Sequence, residues 1–124
     1  MSKKISDKAI AKVPAFADRV SLFSNKLQIS RYAAGSITDY CHALYKAVLQ
    51  LGKLPEEFTQ QDLDDYLKSM LSRKPLPAEA QFKHFIYGLK CYLFSTPNSL
   101  YRLGGVFNKI IFSVFYTFGL FFHL

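Results

Sequence analysis

Three amphipathic helix patterns, each with its own start and stop signals, occupy the chain between Ser36 and Leu93. The first opens with Ser36, whose hydroxyl can cap a helix, and Asp39 follows at the spacing of a capping box. Gly52 is placed as a left-handed helix stop. Apolar residues return to one face every three to four positions, which predicts a helix with one buried stripe, formed by Ile37, Tyr40, Cys41, Leu44, Ala47, Val48 and Leu51.

The second pattern repeats this arrangement. Thr59 and Asp62 form another capping box, and Phe58 before the cap can pack against Leu63 as a hydrophobic staple. Pro75 closes the pattern, because proline cannot continue a helix. Its predicted buried stripe consists of Leu63, Tyr66, Leu67, Met70 and Leu71.

The third pattern begins near Pro77, which a first helical turn tolerates, and ends before Pro97. Within the three stripes, Tyr40, Tyr66 and Tyr92 fit core positions from which the hydroxyl can still reach water. The residues expected to point inward from the third helix are Phe82, Phe85, Ile86, Leu89 and Leu93.

Residues 1–12 carry four lysines and few apolar residues, so they are interpreted as a flexible basic arm. From Pro14 a further helix is predicted, with a stripe of Phe16, Val20, Phe23 and Leu27, and Tyr32–Gly35 connects it to the Ser36 cap. A chain of 124 residues suits one domain. We expect an all-α fold, an orthogonal bundle of about four helices over residues 13–103.

The net charge of +7 favours a polyanionic partner, which could be nucleic acid or an anionic membrane surface. The charge is unevenly distributed, because residues 54–72 hold one basic and five acidic groups. The second helix therefore should not face a phosphate backbone. A nucleic-acid face must come from the N-terminal segment, the start of the first helix and the third helix.

Two segments of the chain resemble the N-terminal core-binding (SAM-like) domain of tyrosine recombinases, the phage-integrase family. They are SITDYCHALYKAVLQLGKLPEEFTQQDLDDYLKSML and, after it, FKHFIYGLKCYLF. In that family a Ser or Thr opens a helix with Tyr four residues later, as Ser36 and Tyr40 do, and a proline and a T-x-x-D helix follow. A later helix similar to residues 86–93 completes the likeness, which covers about residues 20–95. Two features depart from the family pattern: Tyr87 and Gly88 replace the usual small residues, and no catalytic domain follows.

The resemblance implies a DNA-binding module that takes part in DNA integration and recombination of a mobile element. Its partners would be double-stranded DNA and other recombinase protomers, and alone it would not be an enzyme. On the third helix, cations stand beside an aromatic residue that can contact sugar or a base edge. The residues expected to bind DNA are Arg31, Ser36, Thr38, Arg73, Lys74, Lys83, His84, Tyr87 and Lys90.

The sequence offers no constellation for catalysis, metal binding or cofactor binding. No His-x-x-Arg segment is present, and the three histidines, His42, His84 and His123, are far apart and are expected on helix surfaces or in the tail. Cys41 and Cys91 lack metal-ligand spacing and are interpreted as free thiols of a cytoplasmic protein. We therefore expect no cofactor and no metal.

The hydrophobic segment 104–124 differs in composition from the rest of the chain, with Lys109 as its only charge after residue 105. Residues 106–124 as a helix would span about 28 Å, close to the hydrocarbon thickness of a bilayer. This tail is either a membrane segment or an aberrant extension. The alternative to DNA binding is thus a small tail-anchored membrane protein with a basic helical domain on an anionic lipid surface, and a third option is a helical protein-interaction module.

Overall fold

The computed structural model describes residues 4–95, which fold into five α-helices and one 3-10 turn without a strand in that range. This confirms the all-α prediction. The elements are α1 (Ile5–Lys12), α2 (Phe16–Ile29), α3 (Ala34–Leu51), the 3-10 turn Pro55–Glu57, α4 (Gln60–Leu71) and α5 (Glu79–Ser95).

The central helix is α3, which packs against every other helix and most extensively against α1 and α5. Leu44, Ala47 and Val48 in its middle are fully buried. The inward residues predicted for α2 and α5 are also buried, which confirms those two stripes. Leu71 is the exception on α4, because 44% of its surface remains exposed at the last position of the helix.

The predicted N-cap of α3, Ser36, is wrong by three residues. Ala33 occupies the N-cap position with extended backbone, and Ser36 lies inside the first turn without acting as a cap. Arg31 adopts a left-handed conformation with φ of 65°, which reverses the chain directly after α2. The helix can therefore begin earlier, at Ala34, and it includes Gly35 instead of leaving that glycine in a connector.

The interpretation of residues 1–12 as a flexible arm is wrong for residues 5–12, because Ile5–Lys12 form α1 and pack against α3. Ala9 is fully buried in this contact. The ammonium group of Lys12 donates a 2.9 Å hydrogen bond to the carbonyl of Leu49 in the last turn of α3. A cation at this position satisfies a C-terminal carbonyl and complements the helix dipole.

The capping predictions for α4 and the stop of α3 are confirmed. Thr59 accepts a 3.1 Å hydrogen bond from the Asp62 amide, and the Asp62 carboxylate accepts a 2.9 Å bond from the Thr59 amide. Gly52 has φ of 70°, the left-handed region that glycine adopts without strain.

The prolines between α4 and α5 lie farther from the helix ends than predicted. The fourth helix ends at Leu71, four residues before Pro75, and the fifth begins at Glu79, two residues after Pro77. Pro97, His123 and the predicted hydrophobic tail of residues 104–124 lie outside the described residues. Among residues 4–95, no helix has both the length and the apolar character needed to cross a bilayer.

Candidate nucleic-acid interface

The residues predicted to bind DNA occupy four places in the fold. The first is the turn between α2 and α3, and the second is the first turns of α3. The third is the connection between α4 and α5, and the fourth is α5 itself. In chain order these places hold Arg31, then Ser36 and Thr38, then Arg73 and Lys74, and finally Lys83, His84, Tyr87 and Lys90.

An open groove of about 290 Å³ lies between α3 and α5, beside the end of α4; we call it the α3–α5 groove. Four of its lining side chains are cationic or can become so, namely His42, Lys46, Arg73 and His84. The other lining residues are Asp39, Ala43, Tyr66, Met70, Gln81 and Phe85. Because Asp39 is the one carboxylate among them, the groove has an excess of positive charge.

Arg73 and Tyr66 line this groove together. The Tyr66 ring is buried and packs against Phe85 with ring centroids 4.8 Å apart. Burial raises the pKa of the Tyr66 hydroxyl, while the charge and hydrogen bond of Arg73 act in the opposite direction. The guanidinium of Arg73 thus lies close to the Tyr66 hydroxyl and lines the same groove.

His84 and Asp39 face each other across the groove. Their Nε2 and Oδ2 atoms are 3.6 Å apart, an ion pair only when the imidazole is protonated. The ring of His84 also meets that of Tyr40 edge to face, with centroids 6.3 Å apart. These contacts position the imidazole of α5 against α3.

The acidic side chains near α4 do not line the α3–α5 groove. Asp62 pairs with Lys53 at 2.8 Å, and this hydrogen bond is the main reason that the pKa of its carboxyl is lowered. Glu56 pairs with Arg19 at 3.0 Å. The negative charge that the sequence concentrates in residues 54–72 is thus partly neutralised within the domain, and none of these carboxylates lines the groove.

The remaining predicted residues do not join this groove. Tyr87 and Lys90 line a separate cleft of about 630 Å³ between α2, α3 and α5. Thr38 lines a third groove, bounded by α1 and α2, where its hydroxyl donates a 3.0 Å hydrogen bond to the Ala34 carbonyl. Lys83 pairs with Glu79 at 3.4 Å. Arg73 and His84 are therefore the two predicted residues that the structure brings together here.

Two cationic residues of the groove, His42 and Lys46, are not among the residues that the sequence predicts to bind DNA. His42 lies on a helix surface, as expected. The spacing of Asp39, His42, Ala43 and Lys46 along α3 could have indicated this face, because residues three and four apart lie on one side of a helix.

The described residues contain no cluster of three or more side chains suited to hold a metal ion. Cys41 and Cys91 are free thiols, as predicted. Burial raises the pKa of the Cys41 thiol to about 11, so this group is a poor nucleophile near neutral pH. Comparison of the chain with protein-family models, curated proteins and solved structures found no match.

Proposed function

We propose that this chain is a DNA-binding helical module that contacts the phosphate backbone of duplex DNA through the α3–α5 groove and the basic residues around it. The observation that supports it most directly is the convergence of His42, Lys46, Arg73 and His84 from α3, the end of α4 and α5. Arginine and lysine are the usual phosphate ligands of DNA-binding proteins, and the net charge of +7 adds long-range attraction.

The proposal extends to the core-binding domain of a tyrosine recombinase or integrase, a role supported by the likeness of residues 20–95 to that family. In this role the helical domain holds DNA in the cytoplasm and contacts other protomers, and the chemistry of strand cleavage is supplied by a separate catalytic domain. The described residues then contribute affinity rather than catalysis.

Backbone contacts give a clear experimental signature. Each phosphate that a cation neutralises releases counterions, which contributes about −0.9 to the slope of log affinity against log salt. We expect the full chain to bind a fluorescein-labelled duplex with a slope of about −2 to −4 and with little preference for sequence. Fluorescence anisotropy between low and moderate salt measures this, and equal affinity at both ends of the range would contradict the proposal.

Charge reversal tests where the DNA lies. Lys83→Glu and Lys90→Glu should each weaken binding more than Lys68→Glu, which makes the same change on the exposed side of the acidic helix α4. If all three variants lose the same affinity, the effect is one of net charge alone, and the side of α5 that carries Lys83 and Lys90 is not part of the interface. Binding to anionic lipid vesicles at the same salt, without binding to DNA, would favour a membrane surface as the partner instead.

A further inference from the structure

The α3–α5 groove has the size and composition of a site for a single anionic group. Its volume of about 290 Å³ is at the lower end of the range for ligand pockets. It is too small for a base pair, but it can hold one tetrahedral phosphate with its water. Its lining includes a guanidinium, an ammonium and an amide, from Arg73, Lys46 and Gln81.

These groups complement a phosphate chemically. The planar guanidinium of Arg73 can donate two parallel hydrogen bonds to two phosphate oxygens, and Lys46 supplies a compact positive charge. The groove wall also contains the apolar residues Ala43, Met70 and Phe85, which limit the access of water to one side of a bound anion. Electrostatic attraction is stronger where water is partly excluded.

Asp39 opposes this attraction. Its carboxylate lines the same groove and lies 3.6 Å from the Nε2 atom of His84. It therefore lowers the positive potential that an incoming anion meets, and it competes with that anion for a protonated His84. None of the other acidic residues of the described chain lines the groove.

We propose that the α3–α5 groove is a binding site for one phosphate group and that the carboxylate of Asp39 lowers the affinity of this site for phosphate. The inference rests on the proposed function, because it assigns one phosphate of the DNA backbone to this groove. A phosphodiester of DNA and free inorganic phosphate share the chemistry that the groove recognises, so the two sources are tested separately.

The first test titrates the full chain with inorganic phosphate while the NMR signals of the His42 and His84 rings are followed. Saturable shifts of both signals are expected. Asp39→Asn should tighten phosphate binding about threefold to tenfold, whereas Arg73→Gln and Lys46→Gln should weaken it by a similar factor. Asp64→Asn is the matched control, because it removes the same charge from α4 at a residue that does not line the groove.

A gain of affinity in Asp39→Asn cannot result from misfolding, which makes this variant the decisive one. Linear shifts without saturation, or equal effects of Asp39→Asn and Asp64→Asn, would overturn the inference. Circular dichroism of each variant checks that the helices are retained.

The second test measures duplex DNA binding by the same variants, so that the two proposals can fail separately. Tighter DNA binding by Asp39→Asn supports both. Saturable phosphate binding in a chain that does not bind DNA supports the groove as a phosphate site and contradicts the proposed function. DNA binding without saturable phosphate binding leaves the proposed function in place and overturns the assignment of a phosphate to this groove.

Discussion

The hydroxyl of Tyr92 on α5 donates a 2.8 Å hydrogen bond to a carboxylate oxygen of Glu56 in the 3-10 turn. The second oxygen of Glu56 accepts a 3.0 Å hydrogen bond from Arg19 on α2. One carboxylate thus links three elements that are distant in the chain. The Tyr92 side chain is almost fully buried, with 1% of its surface exposed, so this bond lies at the edge of the core and not in bulk water.

Replacing Tyr92 by Phe should lower the free energy of unfolding by about 1 to 3 kcal/mol, because a partly buried charged acceptor loses its donor. Tyr45→Phe is a matched control: this ring is half-buried against Phe16 with centroids 5.5 Å apart. The control should change stability by about 0.5 kcal/mol or less. Urea denaturation of both variants measures the difference, and equal losses would show that the Glu56 contact contributes nothing specific.

Acid should weaken the cap of α4. Hydrogen bonds from Lys53 and the Thr59 amide lower the pKa of the Asp62 carboxyl below its ordinary value of 3.8. A carboxyl whose pKa is lower in the folded state than in the unfolded state stabilises the folded state at pH values above its unfolded-state pKa. This contribution disappears as the pH falls through the folded-state pKa. The stability difference between the native chain and Asp62→Asn should therefore be largest near neutral pH and should shrink below about pH 4. A difference that is constant with pH contradicts this mechanism.

The parts of the fold that depend on local sequence could be predicted. The capping box of Thr59 and the left-handed Gly52 follow from interactions within a few residues, and the buried stripes follow from helical periodicity. Ser36 does not cap α3, because the chain turns at Arg31 and the helix already begins at Ala34. Arginine rarely adopts a positive φ, so the sequence does not indicate this turn. The Glu56 contact with Tyr92 could not be predicted, because no local rule connects positions so far apart.

The candidate site was predictable only in part for the same reason. The charges of Arg73 and His84 make them candidates from the sequence, but their proximity to Lys46 depends on how α3 packs against α5. Helical periodicity indicates which face of a helix is buried, but it does not indicate which other helix packs against that face. The packing also separates Tyr87 and Lys90 from His84, although all three are close in sequence on α5.

The close approach of α5 to α3 requires glycine at position 88. A Cβ atom there would lie 3.2 Å from the Cβ of Tyr40 and 3.3 Å from its backbone Cα and carbonyl oxygen. Gly88→Ala should therefore lower the midpoint of urea unfolding, by a net loss of about 1 kcal/mol, despite the better helix propensity of alanine.

Gly35→Ala serves as the control for this prediction. Gly35 lies in the first turn of α3, and nothing within 4 Å would meet its new Cβ. The substitution should stabilise the chain by about 0.5 kcal/mol or leave it unchanged. If both alanine variants are equally stable, the helices do not need the small residue at position 88.

Truncation of central leucines should be costly. Leu44, Leu67 and Leu89 are 0%, 5% and 1% exposed, so changing any of them to alanine should cost about 2 to 5 kcal/mol through lost burial and a cavity. Leu71→Ala is the control, since that residue is 44% exposed, and it should cost about 1 kcal/mol or less. Thermal unfolding followed by circular dichroism separates the two groups, and a similar loss for Leu71→Ala would place it in the core after all.

The most direct test of DNA binding through the α3–α5 groove is the affinity of the full chain for a labelled duplex after single charge reversals. Arg73→Glu and Lys46→Glu should each weaken binding about fivefold or more, whereas Lys68→Glu, which makes the same change in net charge on α4, should weaken it about twofold or less. Equal losses in all three variants, with the helical content unchanged, would contradict the groove as the site of DNA contact.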